Sequence, residues 1–255
     1  VGWEPWQQIA DTPADDDALA RAQSRMRPGD PINIQYTSGT TGFPKGATLT
    51  HLNILNNGRI VGAGMRLTER DRLCIPVPLY HCFGMVMGSL ACITHGAAAV
   101  FPADAFDPLA TLEAVAAERC TALHGVPTMF IAELDHPQLA SFALSCLRPG
   151  IMAGSPCPIE TMTRVVAQMH MAEVLIAYGQ TETSPVNHMT RSDDPIGKRV
   201  GSVGRPAAHC EIKIVDAAGH TLPVDAADRV ARLLEAFVDD VDGVDAVRPG
   251  DHPAA

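Results

Sequence analysis

Between residues 73 and 178 the chain repeats one pattern, an apolar run of strand length followed by a segment of helix length. The strand candidates are 73–77, 97–101, 121–124, 147–153 and 174–178; helices fit at 51–64, 83–94, 108–118, 127–135 and 159–170. Continuous apolar strands belong to sheets buried on both faces, and repeated β-α units imply parallel strands joined by crossover helices. The expectation is an α/β fold, a largely parallel β-sheet covered by helices on both sides. The clearest helix is 108–118, with Asp107 as N-cap, Pro108 at its first position and Leu109, Leu112, Val115 and Ala116 on one face. In such sheets ligands collect beyond the carboxyl ends of the strands, so candidate site residues are sought there.

Residues 73–103 contain no Asp, Glu, Lys or Arg, long enough to raise the question of a membrane span. Pro76, Pro78, Gly84, Gly88, His95, Gly96 and Pro102 divide the stretch, and a buried β-α-β unit without a transmembrane span is expected. The formal net charge of -10 lies mostly at the two ends of the chain, and no basic stripe points to nucleic acid. Seven cysteines without a C-x-x-C pair read as buried thiols of a reducing cytoplasm. Ten histidines make no H-E-x-x-H, and no secretory leader is visible.

The richest segment is Tyr36-Thr37-Ser38-Gly39-Thr40-Thr41-Gly42-Phe43-Pro44-Lys45-Gly46. An alternating run at 31–36 precedes it, and Thr50 is a good N-cap for a helix beginning near His51, so the loop is expected between strand and helix. Gly39, Gly42 and Gly46 let the backbone approach a ligand, Thr37, Ser38, Thr40 and Thr41 supply hydroxyls, and Lys45 supplies a positive charge. Together they form an anion cradle suited to a polyphosphate, against the plainer reading of a Gly/Thr linker. It is not a Walker A loop, because Pro44 stands where the second glycine belongs.

Further along, Tyr178-Gly179-Gln180-Thr181-Glu182 follows an apolar strand. A ring can stack on a base, a hydroxyl can bond a phosphate and a carboxylate can hold Mg²⁺, although an ordinary turn would read the same way. Gly154 sits at another strand's end, where its backbone could lie flat on a purine or simply turn. His81, in Pro78-Leu79-Tyr80-His81-Cys82-Phe83-Gly84, is a site candidate or a core histidine. No G-x-S-x-G elbow and no G-x-G-x-x-G is present.

These segments together resemble the adenylate-forming superfamily, which includes acyl-CoA synthetases, luciferases and peptide-synthetase adenylation domains. The resemblance runs over 31–223 and includes Gly201-Ser202-Val203-Gly204-Arg205-Pro206 before an expected strand at 211–215; the wording of 125–134 is most like the medium-chain fatty acyl-CoA ligases. It implies part of an αβαβα large domain that activates a carboxylic acid with ATP and passes it to coenzyme A. In that reading Thr37 to Gly42 and Lys45 cradle phosphates, Thr181 holds the α-phosphate, and Glu182 holds Mg²⁺. Gly154, Tyr178 and Gly179 contact the adenine side, and His81 lies between nucleotide and acid.

The family wording stops after Pro223. Residues 1–30 read as a polar lead-in, 31–223 as a partial AMP-binding domain and 224–255 as an atypical acidic tail, out of frame or a junction, with a weak helical pattern at Val230, Leu233, Leu234 and Phe237. The family's Thr-Gly-Asp motif and the lysine of its small C-terminal domain have no counterpart, so weak activity is expected. The alternatives are another adenylate-forming enzyme, an aryl acid ligase or a peptide-synthetase adenylation domain, or a non-catalytic nucleotide-binding remnant.

Overall fold

The expected alternation takes shape as a seven-stranded sheet and a separate hairpin in the computed structural model, which describes residues 11, 13, 15–37 and 43–213. Helix α1 (Asp16–Arg25) opens it, capped by Asp15, whose carboxylate accepts from Ala18 N–H at 2.8 Å. It is rich in polar residues and buries none of its side chains.

Strands β1 (Pro31–Thr37) and β2 (Lys45–Thr50) pair antiparallel, with Thr37 opposite Lys45. The expected direct passage from loop to helix is therefore corrected: a second strand, β2, intervenes between the loop and the helix. Gly46 permits this, since a methyl there would meet Ile34 Cγ2 at 3.0 Å. Thr50 then caps α2 (His51–Gly64) as expected, accepting from Asn53 N–H at 3.2 Å while Asn53 Oδ1 accepts from Thr50 N–H at 3.1 Å.

In chain order the large sheet comprises β3 (Arg72–Cys74), β4 (Ala98–Val100), β5 (Ala122–Gly125), β6 (Pro149–Ala153), β7 (Glu173–Gly179), β8 (Val186–Met189) and β9 (Arg205–Pro206). Their spatial order is β4-β3-β5-β6-β7-β8-β9; the first five are parallel and the last two antiparallel. Side chains alternate between faces. Leu73, Ala122, Ile151 and Leu175 pack with Val61 of α2, with Met65 just after it and with Phe83 and Met87. Cys74, Leu123, Met152 and Val174 pack with Leu112 of α4 (Pro108–Ala117), Phe130 of α5 (Pro127–Leu134) and Met162 of α6 (Ile159–Gln168) on the other face. Asp107 and Pro108 start α4 as the sequence implies.

The 83–94 segment departs from a plain α-helix: Phe83–Leu90 is a π-helix, continued by α3 (Ala91–His95). Two glycines bring it close to the segment that follows β3, since a methyl on Gly84 would meet Pro78 O at 2.3 Å and one on Gly88 would meet Ile75 Cδ1 at 2.9 Å. The fully buried His124 secures it from below. Its Nε2–H donates to Met87 O at 3.0 Å, its Nδ1 accepts from Ile151 N–H at 3.3 Å, and its ring lies 5.2 Å from that of Phe83. Burial pushes the imidazole pKa down to about 4 against the opposing pull of the Met87 carbonyl. Thus 73–103 is β3, the π-helix, α3 and β4, and among the described residues no helix is long and apolar enough to cross a membrane. All seven cysteines are free. Glu211, Ile212 and Lys213 are irregular rather than strand; 214–215 and the expected tail pattern lie outside the described residues.

The amino ends of β3, β5, β6 and β7 are tied by one polar strip. Asp71 Oδ1 accepts from Thr121 Oγ1 at 2.7 Å and from Arg148 at 2.9 Å, while its Oδ2 accepts from Thr68 N–H at 2.8 Å. Arg148 also reaches Glu173 at 3.0 Å, and Arg66 closes the far side at 2.6 Å. Burial alone would raise the Asp71 pKa, but the Thr121 and Thr68 hydrogen bonds and the Arg148 charge hold it below the usual carboxylate range. Asp71→Ala removes the hub and leaves Arg148 half paired, so urea denaturation is expected to show a loss of about 2–4 kcal/mol. His124 and Asp71 both make the fold acid-sensitive. The unfolded chain protonates a histidine near pH 6.5 while His124 stays neutral to about pH 4, so its share of stability is complete above about pH 6.5 and is lost on the way down. That share is about 3 kcal/mol, and the Asp71 share follows below about pH 4. Urea midpoints across pH 3 to 8 (about one unit apart) should fall in that order, and His124→Gln should flatten the upper part.

Candidate functional site

β6 ends at Ala153, paired with Ala177 of β7, so Gly154 and Tyr178 leave the sheet side by side. Gly154 has φ +92, a conformation that suits glycine, and a methyl on it would meet Val126 Cγ1 at 3.2 Å. Tyr178 is 54% exposed, and its ring meets that of His188 edge-on at 6.0 Å. At Gly179 the chain passes so near Pro185 that a methyl would lie 1.8 Å from its carbonyl oxygen. That oxygen accepts from Gln180 N–H at 3.1 Å and from the Thr183 hydroxyl, closing a turn that presents Thr181 and Glu182.

The hairpin meets this turn. β2, which begins at Lys45, packs against Thr181–Thr183, and Thr37 faces Lys45 across the ladder. Ser38, Gly39, Thr40, Thr41 and Gly42, which the two bracket, lie outside the described residues. Lys45 and Glu182 are exposed and have no ion pair among the described residues.

His81 arrives from the loop before the π-helix. Phe83 N–H donates to its Nδ1 at 3.0 Å, leaving the ring proton on Nε2, and partial burial lowers its pKa so that the neutral form prevails near pH 7. Cys82, which the sequence reading does not single out, joins the three segments. Its Sγ lies 3.8 Å from His81 Nδ1 and 3.9 Å from Thr181 Oγ1, and its side chain packs with Leu49 of β2, Ile54 of α2 and Val86. Burial raises the thiol pKa, against a smaller opposing hydrogen bond from Thr181, so it stays an uncharged packing group. Its only sequence signal was an apolar setting. The Gly201–Pro206 segment serves the sheet: Gly204 has φ +85 against the Met189 backbone, and Arg205–Pro206 adds β9 beside β8.

Thr37, Lys45, His81, Gly154, Tyr178, Gly179, Thr181 and Glu182 therefore stand on the loops and strand ends just described. Glu182 suits a hard cation, because Mg²⁺ typically takes one or two carboxylates and leaves its other positions to water and phosphate. An open groove of about 490 Å³ between β4 and α4, lined by Arg72, Val100, Phe101, Glu113 and Glu118, contains none of these residues.

Residues 2–228 match the family described as AMP-binding enzyme. YngI of Bacillus subtilis is 52% identical over 214 residues, covering 84% of this chain and 39% of YngI. The mitochondrial medium-chain acyl-CoA ligase of Danio rerio is 45% identical over 211 residues, covering 82% of this chain and 35% of the relative. Among solved structures, ATP-bound MatB from Rhodopseudomonas palustris superposes with a TM-score of 0.68 at 32% identity, covering 78% of this chain and 38% of MatB. The chain thus spans about two fifths of the length of its curated relatives. A family match over nearly the whole sequence, joined to a parallel sheet with these segments at its edge, makes this chain a member of the AMP-binding, adenylate-forming enzymes.

Proposed function

We propose that this chain binds ATP and Mg²⁺ at the hairpin tip and the Thr181–Glu182 turn, and contributes to activating a carboxylic acid, a medium-chain fatty acid, for transfer to coenzyme A. The observation that carries this reading is the packing of β2, with Lys45 at its start, against the Thr181–Thr183 turn in a chain of this family. The Danio rerio relative's name supports the acid class. Residues 31–223 are the working region, 224–255 are an atypical tail, and the piece alone turns over weakly because it spans only part of its relatives' length.

Acid activation joins a carboxylate to the α-phosphorus of ATP and releases pyrophosphate, so two anions must meet. The Lys45 ammonium lowers that repulsion and steadies the departing charge. Glu182 would hold Mg²⁺, which would supply further charge neutralisation at the phosphates. The Thr181 hydroxyl donates to the α-phosphate, and the hydroxyls and N–H groups of Ser38 to Gly42 hold the outer ones. Gly154 and the Tyr178 ring flank the adenine, and His81, neutral with its proton on Nε2, separates the nucleotide from the acyl pocket. The thiolate of coenzyme A then displaces AMP from the acyl group.

Thermal unfolding of the 255-residue chain with ATP and Mg²⁺ tests the reading. At a hundredfold excess over Kd, binding stabilises by about 2.7 kcal/mol, a Tm rise of several degrees. Lys45→Ala and Glu182→Gln should each weaken binding about tenfold, whereas Gly179→Ala should abolish it, because its methyl displaces the turn. A wild-type chain whose Tm ignores ATP and Mg²⁺ would refute nucleotide binding. Pyrophosphate exchange over aliphatic, aryl and amino acids assigns the acid class, and strongest exchange with an aryl or amino acid would overturn the medium-chain reading.

A further inference from the structure

Asn57 lies in the interior of α2, only 6% exposed, where asparagine is a poor helix former. Its amide grips one residue of β8 from both sides: Nδ2–H donates to Val186 O at 2.8 Å, and Oδ1 accepts from Val186 N–H at 3.1 Å. The same helix faces β8 again at Gly64, where the missing side chain leaves room for Met189. Val186 is bonded directly to Pro185, the residue whose carbonyl closes the turn by accepting from Gln180 N–H and the Thr183 hydroxyl. From the amide to the turn is therefore two hydrogen-bonded links and one peptide bond.

We propose that Asn57 is a positioning residue that fixes the Thr181–Glu182 turn against the helix immediately following the Lys45 strand. One buried side chain thereby sets the spacing between the ammonium on one segment and the hydroxyl and carboxylate on the other. The consequence for nucleotide binding rests on the function proposed above; the clasp itself does not.

The clasp needs a donor and an acceptor at once, which a primary amide supplies. A carboxylate at this position would accept from Val186 N–H but would face the Val186 carbonyl with a lone pair, whereas a protonated carboxyl again supplies both. Burial and the facing carbonyl raise the pKa of such a group, so Asn57→Asp becomes a clasp that acid restores. The titratable groups on α2 and on the elements packed against it are His51, Arg59, Lys45, Cys92, His95 and His188, and the π-helix carries none; the wild-type chain at each pH reports their effect.

Amide hydrogen exchange on the 255-residue chain, corrected for intrinsic rates, is measured for wild type and Asn57→Asp at about pH 8 and about pH 5.5. At the higher pH the variant should lose about tenfold or more of its protection at Gln180, Thr183 and Ser184, with β5 and β6 unchanged. At the lower pH protection should return towards wild type, and the Kd for ATP and Mg²⁺ should rise and recover in parallel. Unchanged protection at the turn, equal loss across the sheet, or no recovery in acid would each overturn the proposal. If the variant fails to fold at the higher pH, folding regained at the lower one supports the clasp and failure at both overturns it. Should the wild type bind no ATP, the exchange pattern still decides the clasp, and only the nucleotide reading falls.

Discussion

A parallel strand cannot be turned back by a tight hairpin; each pair needs a crossover, and the crossover lies over a face of the sheet. Here that rule places the π-helix on one side, where α2 packs beside it, and α4, α5 and α6 on the other, so both faces of β3, β5, β6 and β7 must be apolar. Polar chemistry is thereby confined to the strand ends. The amino ends are occupied by Asp71, Thr121, Arg148 and Glu173, which satisfy one another. What remains for a ligand is the carboxyl edge, where Gly154, Tyr178 and the Thr181–Glu182 turn emerge.

Much of this is legible in the residues because the pattern is redundant. The β-α alternation survives small errors at each boundary, and Asp107-Pro108 and Thr50 announce their helices through cap chemistry that tertiary packing does not override. β2 was hidden because Lys45-Gly46-Ala47-Thr48-Leu49-Thr50 is short and small, and its pairing depends on Gly46 admitting the side chains of β1. The π-helix was hidden for another reason: an apolar run that is buried nearly all round has no face, so periodicity cannot separate the two kinds of helix. Glycines at 84 and 88 were legible as punctuation, but they act by admitting the Pro78 backbone and the Ile75 side chain. Asn57 and Cys82 gave little signal, since their partners are a backbone unit and a hydroxyl more than 90 residues away in the chain.

The local shape of the site segments is fixed by close backbone approach. Gly179 against Pro185, Gly84 against Pro78 and Gly204 against Met189 are contacts that any side chain would force apart. Such contacts are stiff, because the repulsive wall between backbone atoms is steep and no rotamer can relieve it. Side chains then add direction: the Asn57 amide and the His124 imidazole each bond two backbone groups at once, and each joins segments distant in sequence.

The charge state of these supports follows from where they lie. An unpaired ion in a low-dielectric interior costs several kcal/mol or more, so a buried group that must hold geometry is better neutral. His124 is kept neutral by burial, the Cys82 thiol is kept protonated, and Asn57 has no charge to lose. Glu133, buried with both carboxyl oxygens unpartnered among the described residues, is pushed by burial towards its protonated form as well. Lys45 and Glu182, to which the proposed function assigns the triphosphate and its Mg²⁺, instead stand exposed, where water stabilises their charges. In the proposed function, binding would exchange water for phosphate and cation at these groups. The neutral scaffold beneath does not titrate near pH 7, so their spacing stays fixed while their own charges are neutralised.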